Sequence, residues 1–277
     1  MNRQELTEQI FLKGSYLCVG LDTDPQKLPP HLQSDPDAVY NFNRAIIDAT
    51  KDHCVAYKIN TAFYEAMGAA GWEIMQRTAE YIPATHFKIA DAKRGDIGNT
   101  SSQYARAFFE TMNFDAITVA PYMGEDSIRP FLEYENKWTI LLGLTSNAGA
   151  KDFELQNISD GRENKKLYET VMEKSASWGT TENLMFVIGA TRADQFQQVR
   201  TISPNHFFLV PGIGAQGGSL SDISSAALIE DCGILVNASR AVIYASSGAD
   251  FAEMAGSMVS GYQKEMKIFL SLKKPSS

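Results

Sequence analysis

Cysteine is scarce in this chain: Cys18, Cys54 and Cys232 stand far apart among 277 residues. An odd count at wide spacing argues against a disulfide framework, and the absence of a Cys-x-x-Cys pair or a Cys/His cluster removes the usual zinc spacings. No apolar run reaches the roughly 18 residues of a membrane-spanning helix. The opening MNRQELTEQIFLKGS is polar and amphipathic, without the apolar core of a signal peptide, so the expected compartment is the cytoplasm. Positive charge is also short, with 25 Lys and Arg against 33 Asp and Glu and a formal net charge of −8. That balance excludes a global basic field for nucleic acid or anionic membrane. An anionic substrate would need a local positive pocket. His31, His53, His86 and His206 are scattered without ligand spacing and are expected to be structural. No Pro/Gly/Ser linker, low-complexity tract or long-period repeat divides the chain, so residues 1–277 are expected to form one domain.

Short apolar runs recur instead, at residues 16–22, 55–60, 86–91, 116–121, 139–146, 184–190, 206–214 and 233–240. They are rich in Val, Ile, Leu and Phe with little polar alternation, the pattern of parallel strands covered on both faces. Candidate helices lie between them at Pro36–Lys51, Thr61–Tyr81, Ile97–Met112, Asn164–Trp178 and Ser219–Glu230. Eight strands alternating with helices predict an α/β fold, a (β/α)8 TIM barrel, for which this length is ordinary. An open doubly wound sheet is the alternative. The longest irregular piece, residues 146–163, is either a surface insertion or a lid over an active site.

The segment FKIADAKRGDIGNT sets Asp, Lys, Arg and Asp just past an apolar run. Charge runs usually sit on solvated faces, but this one ends a predicted barrel strand, where such barrels place their working residues. Period-two alternation puts Phe87, Ile89, Asp91 and Lys93 on one side of the strand. The same count aims Lys58 and Asp22 inward from neighbouring strands, so two cations and two anions would converge where little water reaches. A group of that kind is costly to desolvate unless mutually paired; a purely structural ion network is the bland alternative. The second concentration is glycine: VPGIGAQGGS leaves the seventh strand carrying Gly214 and Gln216 and opens a helix near Ser219. NASR closes the eighth strand and brings Arg240 beside it. Backbone amides at a helix start together with an arginine fork suit a phosphate.

The ordered set VGLDTDP, YKIN, DAKRGDIGNT, APYMGEDSIRPF, TSN and PGIGAQGG resembles the orotidine 5′-phosphate decarboxylase family, in its longer bacterial-type branch, over nearly the whole chain. The resemblance implies that Lys58, Asp91, Lys93 and Asp96 form an alternating charge array around a scissile carboxylate. Asp96, Ile97 and Thr100 would be donated across a homodimer interface into the partner's site. Asp22 and Lys58 would hold ribose hydroxyls, Ser146 the pyrimidine, with Asn147 beside it, and Gly214, Gln216 and Arg240 the phosphate. Leu144 departs from the charged residue common at its position.

The activity so implied removes CO2 from orotidine 5′-monophosphate to give UMP, the last step of pyrimidine nucleotide synthesis. The sequence carries no pyridoxal, thiamine or metal fingerprint, and the family needs no cofactor. The protein must then stabilise the C6 carbanion electrostatically and supply a proton, which an ammonium at Lys93 can do. Two other functions compete. A Mg-dependent enzyme on sugar phosphates would share the D-x-K-x-x-D string but want a carboxylate where YKIN places Lys58. A non-catalytic nucleotide-binding protein would use the same scaffold without the chemistry.

Overall fold

The computed structural model describes residues 1–159, 164–189, 195–212 and 219–273. Ten strands are formed: β1 (Leu17–Gly20), β2 (Ala56–Asn60), β3 (Phe87–Arg94), β4 (Ala116–Val119), β5 (Trp138–Leu144), β6 (Asn157–Ser159), β7 (Asn164–Lys166), β8 (Leu184–Ile188), β9 (Phe207–Pro211) and β10 (Ile234–Ala238). Eight of them close into a barrel in the order β1-β10-β9-β8-β5-β4-β3-β2. Every pairing in it is parallel. Closure through β1 and β10 disposes of the open-sheet alternative. β6 and β7 form a separate antiparallel ribbon.

The helices are α1 (Arg3–Lys13), α2 (Ala38–Thr50), α3 (Thr61–Glu65), α4 (Gly68–Tyr81), α5 (Gly98–Arg106), α6 (Glu125–Leu132), α7 (Leu167–Ala176), α8 (Phe196–Ile202), α9 (Leu220–Ala227), α10 (Arg240–Ile243) and α11 (Phe251–Leu270). They cover the strands as the apolar runs require. In α2, Val39, Phe42, Asn43, Ile46, Ile47 and Thr50 are buried, the stripe of a helix lying on a sheet. Phe42 stacks on Phe251 of α11 at 4.8 Å between centroids, tying the last helix to the first crossover. At the opposite end of the strands from the mouth, the Trp138 ring sits edge-on to Phe87 and Phe207, each at 6.1 Å. All three cysteines are buried and unpaired. No helix among the described residues is long and apolar enough to cross a membrane.

Three predicted helices differ from the observed ones, each for a tertiary reason. The span Thr61–Tyr81 is broken at Gly68, whose φ is +66°. Gly71 then lies so close to Tyr64 that an added Cβ would sit 1.8 Å from its carbonyl oxygen, an approach that only glycine permits. The span Ile97–Met112 changes to a π-helical turn at Ala107–Thr111, which buries Phe108 and Phe109. Asn164–Trp178 begins three residues late because Asn164–Lys166 pairs with Asn157–Ser159. The segment 146–163, expected to be irregular, thus contributes a strand.

Two histidines make the stability of this barrel acid-sensitive. His86 is buried with its Nε2 2.6 Å from the Lys13 ammonium; burial first, then the Lys13 charge, pushes its pKa down to about 4. His206 is buried against Phe186, and burial followed by Arg3 and Arg200 brings it to about 4 as well. Unfolded, both rings titrate near 6.5. Their folded pKa values are depressed, so the stability they confer is complete above about 6.5 and lost as pH falls towards 4. By linkage each ring accounts for about 3 kcal/mol over that window. Urea denaturation at pH 7, 5.5 and 4 should show this fall, and His206→Phe should roughly halve it. An unchanged pH slope in that variant would contradict the assignment.

Candidate active site

The C-terminal ends of β1, β2 and β3 bring one ionic network together. β2 runs beside both neighbours, with Lys58 opposite Gly20 of β1 and Ile89 of β3, and Asn60 opposite Asp91. The Lys58 ammonium donates to Asp22 Oδ1 at 3.1 Å and to Asp91 Oδ2 at 2.9 Å. The Lys93 ammonium reaches Asp91 Oδ1 at 2.5 Å. Two cations and two carboxylates thus alternate along one line, Asp22, Lys58, Asp91, Lys93.

Burial differs sharply along that line. The Lys58 and Asp91 side chains are 6% and 11% exposed, while Lys93 is 50% exposed. Only the inner members are withdrawn from water, so the expectation of a dry group fails at Lys93. At about 3 Å and an effective dielectric near 20, each of the two buried Lys58 contacts is worth on the order of 5 kcal/mol, comparable with the desolvation it must offset, whereas solvent screens the half-exposed Lys93 contact. Burial alone would raise the pKa of Asp91; the Lys58 and Lys93 ammoniums outweigh it and hold the carboxyl well below the ordinary range. Burial would likewise lower Lys58, and Asp91 and Asp22 reverse that and hold it well above the ordinary lysine value.

Simple strand alternation does not carry Lys93 into place. The β3–β4 register runs Ala90↔Ile117 and then Arg94↔Val119, so Asp91, Ala92 and Lys93 stand opposite Thr118 alone. Lys93 takes a left-handed φ of +46° at this bulge. The buried Thr118 hydroxyl accepts from the Lys93 amide at 2.9 Å and lies 3.0 Å from Asp91 Oδ1.

Asp96, Ile97 and Thr100 stand apart from this network. Asp96 Oδ1 accepts the Ile97 amide at 2.8 Å, and neither Lys58 nor Lys93 bonds to it within the chain. Ile97 is 61% exposed, and Thr100 is exposed at the start of α5. Ser146 follows β5, packed so close to Gly189 that a Cβ there would come within 2.8 Å of the Ser146 amide. Asn147 is exposed, its Oδ1 2.6 Å from the Thr145 hydroxyl. Glu154 ties the following segment back to β5 by accepting the Thr145 amide at 2.7 Å. Leu144 is fully buried and belongs to the core. Arg240 is exposed at the head of α10, directly after β10. Gly214 and Gln216 lie outside the described residues.

Sequence inspection did not single out Thr118, Glu154 or Gly189. A lone threonine inside AITV carries no signal of its own, because its role comes from the residues opposite. Among the described residues no three His, Cys, Asp or Glu side chains are grouped to hold a metal ion.

Comparison with known proteins accords with this geometry. The sequence model of the "Orotidine 5'-phosphate decarboxylase / HUMPS family" matches residues 15–255. An orotidine 5'-phosphate decarboxylase of Christiangramia forsetii is 55% identical over 269 residues, spanning 96% of this chain and 97% of its own. One of Phocaeicola vulgatus is 53% identical over 270 residues, covering 96% and 98%. Among solved structures, Leishmania donovani OMP decarboxylase superposes with a TM-score of 0.80 at 33% identity, over 97% of this chain and 99% of that one. With the family model spanning most of the barrel and relatives above half identity end to end, this chain belongs to the orotidine 5'-phosphate decarboxylase / HUMPS family.

Proposed function

We propose that this protein converts orotidine 5′-monophosphate to UMP and CO2 by direct electrostatic catalysis at the Asp22–Lys58–Asp91–Lys93 line. The single observation that carries the reading is the Lys58 ammonium held between Asp22 and Asp91 at 3.1 and 2.9 Å. In a Mg-dependent member of the same barrel group those carboxylates would face a metal. Here a fixed cation stands between them and repels one.

In this mechanism Arg240, with Gly214 and Gln216, grips the phosphate, and Asp22 with Lys58 holds the ribose hydroxyls. Ser146, with Asn147 beside it, meets the pyrimidine. Asp91, kept ionised by its two ammonium partners, lies against the substrate carboxylate and favours its departure. The C6–carboxylate bond breaks, CO2 leaves, and the electron pair stays on C6. The Lys93 ammonium stabilises that charge and then gives C6 a proton. Its half-exposed position lets solvent restore the proton afterwards. The remote phosphate supplies binding energy that the reacting centre can use. The segment 146–163, of which residues 160–163 lie outside the described residues and Glu154 is tied to Thr145 beside β5, acts as the cover that excludes water once the nucleotide is in place. A cytoplasmic setting goes with three unpaired thiols.

Adding orotidine 5′-monophosphate to the protein in EDTA should bleach the orotate absorbance band completely. A requirement for Mg2+, or binding without bleaching, would overturn the proposal in favour of a metal-dependent enzyme or a binding protein.

The separation of Asp96 from the network supports a homodimer in which the partner subunit's Asp96, Ile97 and Thr100 complete each site. Mixing inactive Lys93→Ala and Asp96→Ala proteins should then restore up to about a quarter of the parent activity in the exchanged population, because half of the mixed dimers' sites are intact. No recovery with heterodimers demonstrated by mass spectrometry would exclude sharing.

A further inference from the structure

We infer that the Thr118 hydroxyl is a positioning residue for proton delivery, holding the Lys93 ammonium and the Asp91 carboxylate in register; the inference rests on the decarboxylase reading above. Three residues of β3 stand opposite Thr118 where a regular parallel ladder would set one. The surplus forces Lys93, which carries a full side chain, into the left-handed region at φ +46°. Such a conformation persists only where its surroundings over-determine it.

Thr118 supplies that constraint. Its Oγ1 accepts the Lys93 amide proton at 2.9 Å. A hydroxyl has one proton of its own, and here it goes to Asp91 Oδ1 at 3.0 Å. The same Asp91 oxygen receives the Lys93 ammonium at 2.5 Å. The three bonds close a ring that begins at the backbone of Lys93 and returns to the end of its side chain. Among the described residues Asp91 is the ammonium's one hydrogen-bond partner, so whatever fixes Asp91 fixes Lys93. Thr118 is 1% exposed, which leaves no room for solvent to replace the hydroxyl. Arg94 secures the other side of the bulge by donating to the Ala92 carbonyl at 2.9 Å. It leaves the Lys93 amide to Thr118.

Thr118→Val keeps the shape and deletes the hydroxyl. The Lys93 amide and one Asp91 oxygen then lose a partner, and the ammonium is free to drift along the mouth. A displacement of about 1 Å in a reacting group is enough for a loss of about 100-fold. We expect kcat for orotidine 5′-monophosphate to fall by roughly 30- to 300-fold on that ground, with KM and UMP affinity within about threefold of the parent. Thr118→Ser, which retains the hydroxyl, should recover kcat to within about threefold, while Thr118→Ala should repeat the loss. A role in folding alone would instead lower Tm and raise KM together and would separate Ser from Val only weakly. A Val variant as fast as the parent, a Ser variant as slow as Val, or parallel loss of UMP affinity would each overturn the inference. The parent distinguishes the two readings: if it fails to bleach the orotate band, the decarboxylase assignment falls. If it turns over beside an equally fast Val variant, only the role of Thr118 falls.

Discussion

Lys93→Ala should abolish turnover of orotidine 5′-monophosphate while leaving the fold and UMP binding largely intact. Two contributions vanish together in this variant. Proton delivery by a positioned acid is worth about 10²- to 10⁴-fold, and a preorganised charge facing a developing anion about 10²- to 10³-fold. They act through one ammonium, so the combined loss should be at least about 10⁴-fold even allowing for strong non-additivity. Stability should change little, because the side chain is half exposed and Asp91 keeps Lys58 and Thr118 as partners. Exposed ion pairs are worth at most about 1 kcal/mol. Steady-state absorbance assays and calorimetric titration with UMP test both halves. Residual activity above a few per cent, or UMP affinity lost with it, would remove Lys93 from the chemistry. Lys93→Arg should not rescue, since the longer, planar guanidinium cannot take the compact ammonium's place between Asp91 and the reacting carbon.

Lys58→Met should be damaging in a different way. It removes the cation shared by Asp22 and Asp91 and leaves two buried or half-buried carboxylates without it. Breaking a buried pair from one side costs about 3–5 kcal/mol. In a chain of this size that lowers Tm by on the order of 10 °C. Activity should fall as well, because Asp91 and Asp22 lose their common anchor. The pH dependence identifies the cause. Asp91 is held low by its ammonium partners in the parent, so its contribution to stability is present at neutral pH and disappears in acid. Without Lys58 that contribution shrinks, and the gap between parent and variant should narrow as pH falls through the carboxylate range. Lys58→Met combined with Asp22→Asn should regain part of the lost stability and none of the activity. A single variant as stable as the parent at pH 7 would show that the network is not energetically coupled.

The charged string and the barrel were legible in the sequence to different depths, and the residues show why. Continuous apolar runs such as YLCVG and AITV admit one reading, strands covered on both faces, and all eight were found at their observed places within a few residues. Lys58 and Asp91 were legible too, because a charge at the end of an apolar strand has few places to go in a parallel barrel. Lys93 was legible as a member of the ionic group but not as a conformation. Alternation counts residues along one strand, whereas the bulge that carries Lys93 exists only in relation to β4. Thr118 was invisible for the same reason, and the break between α3 and α4 follows from how closely Gly71 approaches Tyr64.

Composition, strand periodicity and the ordered motifs by themselves determined the barrel, the family and the acid–base alphabet at its mouth, because each is encoded by neighbours along the chain. Which ammonium lies deep and which stays wet, and which hydroxyl bonds the Lys93 amide and Asp91, only the tertiary structure decided. Register, bulges and burial are set by contacts between residues far apart in sequence, such as Lys58 with Asp91 and Thr118 with Lys93, and no local pattern carries that information.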